Sequence, residues 1–159
     1  MRKIAISVIG GSKCSREVEQ IAHKIGEIVA KVGAILICGG LGGVMKAVCQ
    51  GAKSAHGLTV GIIISYDKND ANEYCDIVIP SGLGYARNVL VVQAGDIVVA
   101  LPGEYGTLSE VAFALQFKKP VISLNSWDIP GVIKVKTVEE AAEKVREYLK
   151  RCQTQPCHP

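Results

Sequence analysis

The stretch "LPGEYGTLSE", Leu101–Glu110, joins two unlike textures. Before it runs "DIVVA", a short aliphatic series of strand-formers, and after it runs "VAFALQF", a series of helix-formers. The proline and two glycines between them mark a tight turn. A strand that turns sharply into a helix is a repeating unit of an α/β protein, and the rest of the chain returns to this unit.

Other short aliphatic runs stand at "IAISVIG", "GAILICG", "TVGIIIS", "DIVIP" and "PVISLN". They do not alternate apolar with polar residues, so they read as strands buried on both faces, as parallel strands are. Between them lie helical patterns. Val18, Ile21, Ile25, Ile28 and Val32 recur at helical spacing after Ser15, an N-cap type. Further helices are expected over 44–54, 84–94 and 107–117, and Val138, Ala141, Ala142, Val145 and Leu149 form a final apolar stripe. A short "VIKV", Val132–Val135, adds a last strand. Strands alternating with helices imply right-handed crossovers. The expected architecture is α/β, a doubly wound parallel sheet of about six to seven strands with helices on both faces. One domain over residues 1–151 is expected, followed by a flexible tail over 152–159.

Composition supports a globular chain. Of 159 residues 48% are hydrophobic, 21% charged and only 5% aromatic, so the core must be aliphatic. A net charge of +3, without a basic run interleaved with aromatics, argues against nucleic acid as a partner. The longest uncharged stretch, Val32–Met45, has 14 residues with five glycines and is no membrane span. The six cysteines form no Cys-x-x-Cys pair, and a reduced cytoplasmic protein is expected. The tail residues Cys152, Cys157 and His158 fall short of a structural zinc set, so no metal ligands are assigned.

In an open parallel sheet, ligands sit outside the carboxyl ends of the strands. Four glycine-rich turns fall there: Gly10, Gly11 and Ser12 after the first strand; Gly39, Gly40, Gly42, Gly43 and Met45 after the second; "PSGLGYARN" after the fourth; Pro102, Gly103, Gly106 and Thr107 after the fifth. Glycine lets backbone N–H groups approach a ligand, and a helix start adds a positive dipole end. A small phosphorylated ligand is therefore expected. There is no Gly-x-Gly-x-x-Gly fingerprint and no P-loop to narrow it to a dinucleotide or ATP.

Two charged residues stand out. Arg87 opens a helix that is otherwise almost free of charge, where it could clamp a phosphate or snorkel to the surface. Glu110 has two readings. "TLSE" fits a capping box, with Thr107 as N-cap and Glu110 satisfying a backbone N–H. Alternatively Glu110 stands at the mouth of the site, placed to steer water or stabilise an oxocarbenium ion.

These residues carry a resemblance. The chain resembles the Lonely Guy family and bacterial relatives that bear a lysine-decarboxylase label, whose signature Pro-Gly-Gly-x-Gly-Thr-x-x-Glu stands here as "PGEYGTLSE". "GGLGGVM" and the arginine of "YARN", 23 residues before the glutamate, match as well. The match runs from about Lys3 to Leu124, and it looks closest to a subgroup resembling molybdenum-cofactor carrier proteins. The resemblance implies a Rossmann-like fold, a homodimer or homotetramer, and hydrolysis of the N-glycosidic bond of a nucleoside 5′-monophosphate by Arg87 and Glu110. The alternative it implies is a carrier holding a nucleotide, phosphate or molybdopterin-like cofactor without turnover. Two departures bear on the choice: Glu104 replaces the motif's second glycine, and Asn88 replaces the lysine that follows the arginine in the enzymes. A pyridoxal-phosphate decarboxylase is set aside, because no lysine has a Schiff-base context.

Overall fold

The computed structural model describes residues 2–154. Its strands are β1 (Ala5–Ile9), β2 (Ile35–Cys38), β3 (Thr59–Ile63), β4 (Ile77–Pro80), β5 (Ile97–Ala100), β6 (Val121–Leu124) and β7 (Ile133–Val135). Its helices are α1 (Arg16–Lys31), α2 (Val44–Ser54), α3 (Asn88–Ala94), α4 (Tyr105–Gln116) and α5 (Val138–Thr154). The strands form one seven-stranded sheet in the order β4-β3-β2-β1-β5-β6-β7, and every pairing is parallel. The doubly wound α/β architecture expected from the sequence is therefore present.

Helices α1, α2 and α5 cover one face, where Ile6, Val8, Leu36 and Val99 meet Ala22, Ile25, Val48 and Ala141. Helices α3 and α4 cover the other, where Ala5, Ile9, Val98 and Ala100 meet Val91, Val92, Val111 and Ala114. Aspartates pin the amino ends of two strands. Asp96, just before β5, accepts the Ala5 N–H at 2.9 Å, and Asp76, just before β4, accepts the Thr59 N–H at 3.0 Å. This device leaves the opposite, carboxyl edge free for glycine turns. Ser15 caps α1 as expected, its Oγ accepting from Val18 N at 3.3 Å.

Three local expectations change. The strand β4 is not buried on both faces: Ile77 is 47% and Ile79 44% exposed, because β4 is an edge strand beyond the cover of α3 and α4. The 84–94 segment is split, a 3-10 turn over Gly84–Arg87 followed by the seven residues of α3. Finally, α4 begins at Tyr105, with Glu104 at the N-cap position and no side-chain cap. Thr107 is thus inside the first helical turn, its hydroxyl turned onto Gly103, where a Cβ would lie 2.0 Å from Oγ1. The capping box does not form.

Helix α5 reaches Thr154, past the expected end of the domain at residue 151. Cys14, Cys38, Cys49 and Cys75 carry free thiols. Cys157 and His158 lie outside the described residues. No described helix is long and apolar enough to cross a membrane.

Candidate functional site

Strand order reverses direction at β1, whose neighbours are β2 on one side and β5 on the other. A crevice opens at such a switch point because the two connections leave in opposite directions. The turns that flank it lock together. Gly11 donates its N–H to Pro102 O at 3.0 Å and accepts from Val44 N at 3.0 Å, so the β1 turn touches both the β5 turn and the start of α2. Ser12 is exposed on this rim, and Gly10, Gly42, Gly43, Pro102 and Gly103 are half-buried around it. Gly40 lies lower, buried.

Close contacts constrain several of these glycines, two of them against polar or sulfur-bearing side chains of the site. A Cβ on Gly103 would strike Thr107 Oγ1 and come within 2.8 Å of Gly11 N. One on Gly39 would lie 2.5 Å from both Arg87 Nη2 and Met45 Sδ. A Cβ on Gly106 would meet only Asn88 Nδ2, at an ordinary 3.8 Å, and its exposed backbone sits in the first turn of α4. Since α4 lacks a side-chain cap, its first-turn N–H groups remain available to an anion.

Beneath the rim lie three buried polar residues: Arg87, 5% exposed, Asn88 at 4% and Glu110 at 6%. Arg87 reaches across from the β4 turn. Its Nη2 donates to Gly39 O at 3.0 Å and its Nη1 donates to Asn88 Oδ1. The Arg87 Nε is buried with no partner. Asn88 in turn donates from Nδ2 to Ser109 Oγ at 3.2 Å. The arginine is thus tied to α4 through a neutral residue where the enzymes of the resembled family carry a charged one.

Glu110 belongs to the buried stripe of α4 with Thr107, Val111 and Ala114. Among the described residues its carboxylate makes no hydrogen bond. Burial pushes its pKa up to about 8, with the nearby Arg87 charge pulling it only partly back. Burial likewise lowers the Arg87 guanidinium, with the Glu110 charge opposing. The two groups feel each other without a direct ion pair. At neutral pH Glu110 is mostly protonated, so it acts as a hydrogen-bond or proton donor rather than as a fixed negative charge. A phosphate nearby would strengthen that state by like-charge repulsion.

Glu104 is exposed and faces solvent, and no cation holds it among the described residues. Its φ of −93° and ψ of −151° are extended values, which any residue adopts. Replacement of glycine there costs no backbone strain.

A hollow of about 260 Å³ adjoins the β5 turn, lined by Pro102, Gly103, Asn125, Ser126, Trp127 and Asp128. Trp127 was not singled out from the sequence. Its Nε1 donates to Gly103 O at 3.1 Å and Glu104 O at 3.2 Å, and its ring stacks with Tyr105 at 6.5 Å. A lone tryptophan just past a strand's carboxyl end was the available signal. A larger groove of about 600 Å³ runs between α1 and α2 and shares only Gly43 with the candidate residues.

Residues 3–155 match the family model described as the SLOG cluster4 family. The chain belongs to the SLOG cluster4 family. Its relatives include an uncharacterized protein of Archaeoglobus fulgidus, 43% identical over 148 residues, 93% of this chain and 95% of that protein. Among solved structures, the molybdenum cofactor binding protein of the phototrophic bacterium Rippkaea orientalis is 36% identical with a TM-score of 0.88 over 94% of this chain and 99% of that one. The molybdenum cofactor carrier protein of Chlamydomonas reinhardtii is 31% identical with a TM-score of 0.84 over the same shares. DNA processing protein A of Helicobacter pylori, 17% identical with a TM-score of 0.70 over 91% of this chain and 81% of that one, shares the fold alone. The SLOG cluster4 assignment and these neighbours agree with the Lonely Guy-like, carrier-like resemblance carried by "PGEYGTLSE".

Proposed function

We propose that this SLOG cluster4 protein binds a small phosphorylated ligand of the molybdopterin kind at the β1/β5 crevice and holds it without turnover. The observation that carries the reading is the cup itself: glycine turns locked edge to edge beside an uncapped α4 start, over a buried arginine with an unpartnered Nε. Gly103, Gly106 and Thr107 would take the phosphate, with Gly10–Ser12, Gly39–Gly43 and Met45 lining the remainder. The Trp127–Tyr105 pair offers a face on which a heterocycle can stack. The similarity to molybdenum-cofactor-binding proteins supports this cargo. The fit extends to the phosphate and the ring; no residue is assigned to molybdenum.

A second reading, hydrolysis of a nucleoside 5′-monophosphate, is favoured by one observation, the unbonded Glu110 carboxyl near Arg87. In that reading Glu110 donates a proton to the departing base, since a protonated acid is ill suited to stabilise an oxocarbenium ion. The two are separated by a binding and turnover pair of measurements. Purified protein is offered molybdopterin or a panel of nucleoside monophosphates, ligand retention is read by native mass spectrometry, and free base is assayed. Retention of the pterin with no base release is expected. Base release abolished in Glu110→Gln would establish the enzyme instead.

The proposal includes a homodimer or homotetramer. Ile77, Ile79, Leu83, Tyr85 and Leu90 form exposed apolar surface on the β4–α3 side, which a second copy can cover. Sedimentation of the purified chain tests it; a monomer overturns it. A cytoplasmic location is part of the same reading, supported by the four free thiols.

A further inference from the structure

Three cysteines that the sequence scatters over 38 positions converge beneath the Gly39–Gly43 turn. Cys38 ends β2, Cys49 lies on the inner face of α2, and Cys75 lies in the connection entering β4. The Sγ atoms of Cys38 and Cys49 are 3.3 Å apart, those of Cys49 and Cys75 are 3.9 Å apart, and all three lie within 4.8 Å of one another. Cys38 and Cys49 are wholly buried. Cys75 is half-buried and gives the group its access to solvent.

We propose that Cys38, Cys49 and Cys75 form a binding site for a single thiophilic d10 cation of the Zn2+ and Cu+ class. The spacing is the first argument. With metal–sulfur bonds of about 2.3 Å, ligand sulfurs stand ~3.8 Å apart around a tetrahedral ion and ~4.0 Å apart around a trigonal one. The observed separations, 3.3 and 3.9 Å with all three atoms within 4.8 Å, lie close to those values, so small side-chain adjustments would close the site. The donor set is the second argument, since three thiolates without oxygen or nitrogen select soft metals over Mg2+, Ca2+ or Mn2+.

The surroundings suit a bound ion. Gly40 N–H donates to Cys38 Sγ at 3.3 Å, an outer bond that orients a ligand thiolate. Gly61 leaves room for Cys75, where a Cβ would lie 2.7 Å from Sγ. Binding would displace the thiol protons. A divalent ion with three thiolates carries a net charge of −1, which the Arg87 guanidinium, electrostatically linked to Cys38, can offset. No fourth His, Cys, Asp or Glu ligand joins the group among the described residues. The site is therefore three-coordinate, with a position left for water or a second ligand. Because Cys38 precedes Gly39, whose carbonyl holds Arg87, a bound ion would brace the floor of the crevice.

The test uses the full chain under anaerobic conditions with a non-thiol reductant. Co2+ is added as an optical probe of zinc-type binding and Cu+ in competition with a chromophoric chelator, each with Cys75→Ser, Cys14→Ser and a Cys152→Ser/Cys157→Ser double variant. One equivalent bound by the wild type, with a sulfur-to-metal charge-transfer band, is expected. An outer-sphere partner is worth about 10–100-fold in metal affinity, so loss of a ligand should cost ~100-fold or more in Cys75→Ser. The Cys14 variant and the tail double variant should bind as the wild type does. Cys75→Ser sits at the half-buried edge, and its thermal unfolding reports whether it folds; should it fail to, protection of the half-buried Cys75 from alkylation by bound metal in the wild type, with Cys14 still reacting, gives the same answer. Absence of stoichiometric binding, or binding that follows the tail cysteines and survives Cys75→Ser, overturns the proposal.

Discussion

Replacing Glu110 by glutamine should stabilise the protein at neutral pH and leave it unchanged in acid. The carboxyl is 6% exposed, makes no hydrogen bond among the described residues, and has a folded-state pKa raised from 4.5 to about 8. For an acid whose folded pKa is raised, the protonated form is favoured in the folded state. Stability is therefore intact below the unfolded value, declines as pH rises through the window from about 4.5 to 8, and levels off above it. At ~1.4 kcal/mol per unit, ionisation costs the fold about 3 kcal/mol at pH 7 and about 5 kcal/mol above pH 8. Glutamine has nearly the same shape and does not titrate. The variant should gain roughly 2–3 kcal/mol at pH 7, or roughly 5–10 °C in Tm for a chain of this length. Urea unfolding of both proteins at pH 5, 7 and 9 measures the difference, which should widen with pH. Parallel stability curves, or a variant less stable than the wild type at pH 7, would refute the buried-acid account.

Three other substitutions probe the site. Gly103→Ala places a methyl against Thr107 Oγ1 and Gly11 N; it should cost about 1–3 kcal/mol by overpacking and abolish phosphate-ligand retention in native mass spectrometry. Asn88→Ala removes the acceptor of Arg87 Nη1 and the bond to Ser109; urea unfolding should show a loss of about 1–3 kcal/mol from newly unpaired buried groups. Glu104→Gly introduces the second glycine of the Lonely Guy motif on the exposed N-cap of α4. Its stability should stay within ~0.5 kcal/mol of the wild type, while affinity for an anionic ligand rises in calorimetric titration and the gain shrinks at high salt.

The aliphatic runs made the fold legible. "AISVI", "ILIC", "TVGII" and "IVVA" all lie within expected runs, because a strand buried on both faces has no polar alternation to misread. "DIVIP" has the same composition, but β4 is exposed on one face, since edge position depends on strand order rather than composition. The capping box failed for a related reason. Thr-x-x-Glu is a local pattern, but the start of α4 is decided by Gly103 packed under Thr107 and against Gly11, a residue far away in sequence. Trp127 carries no local pattern for its role, which lies in bonds to backbone carbonyls of another turn.

By itself, the sequence determined the doubly wound α/β class, the glycine turns at strand ends, and the Arg87 and Glu110 pair carried by family resemblance. Periodicity and turn chemistry are local, and a chain displays them residue by residue. Tertiary structure alone decided that Glu110 is a buried acid whose pKa burial raises, that Arg87 is tethered through Asn88 to α4, and that Cys38, Cys49 and Cys75 share one point in space. Burial, desolvation and the meeting of distant side chains arise only when β1, β2, β4 and β5 bring their carboxyl ends to one edge of the sheet.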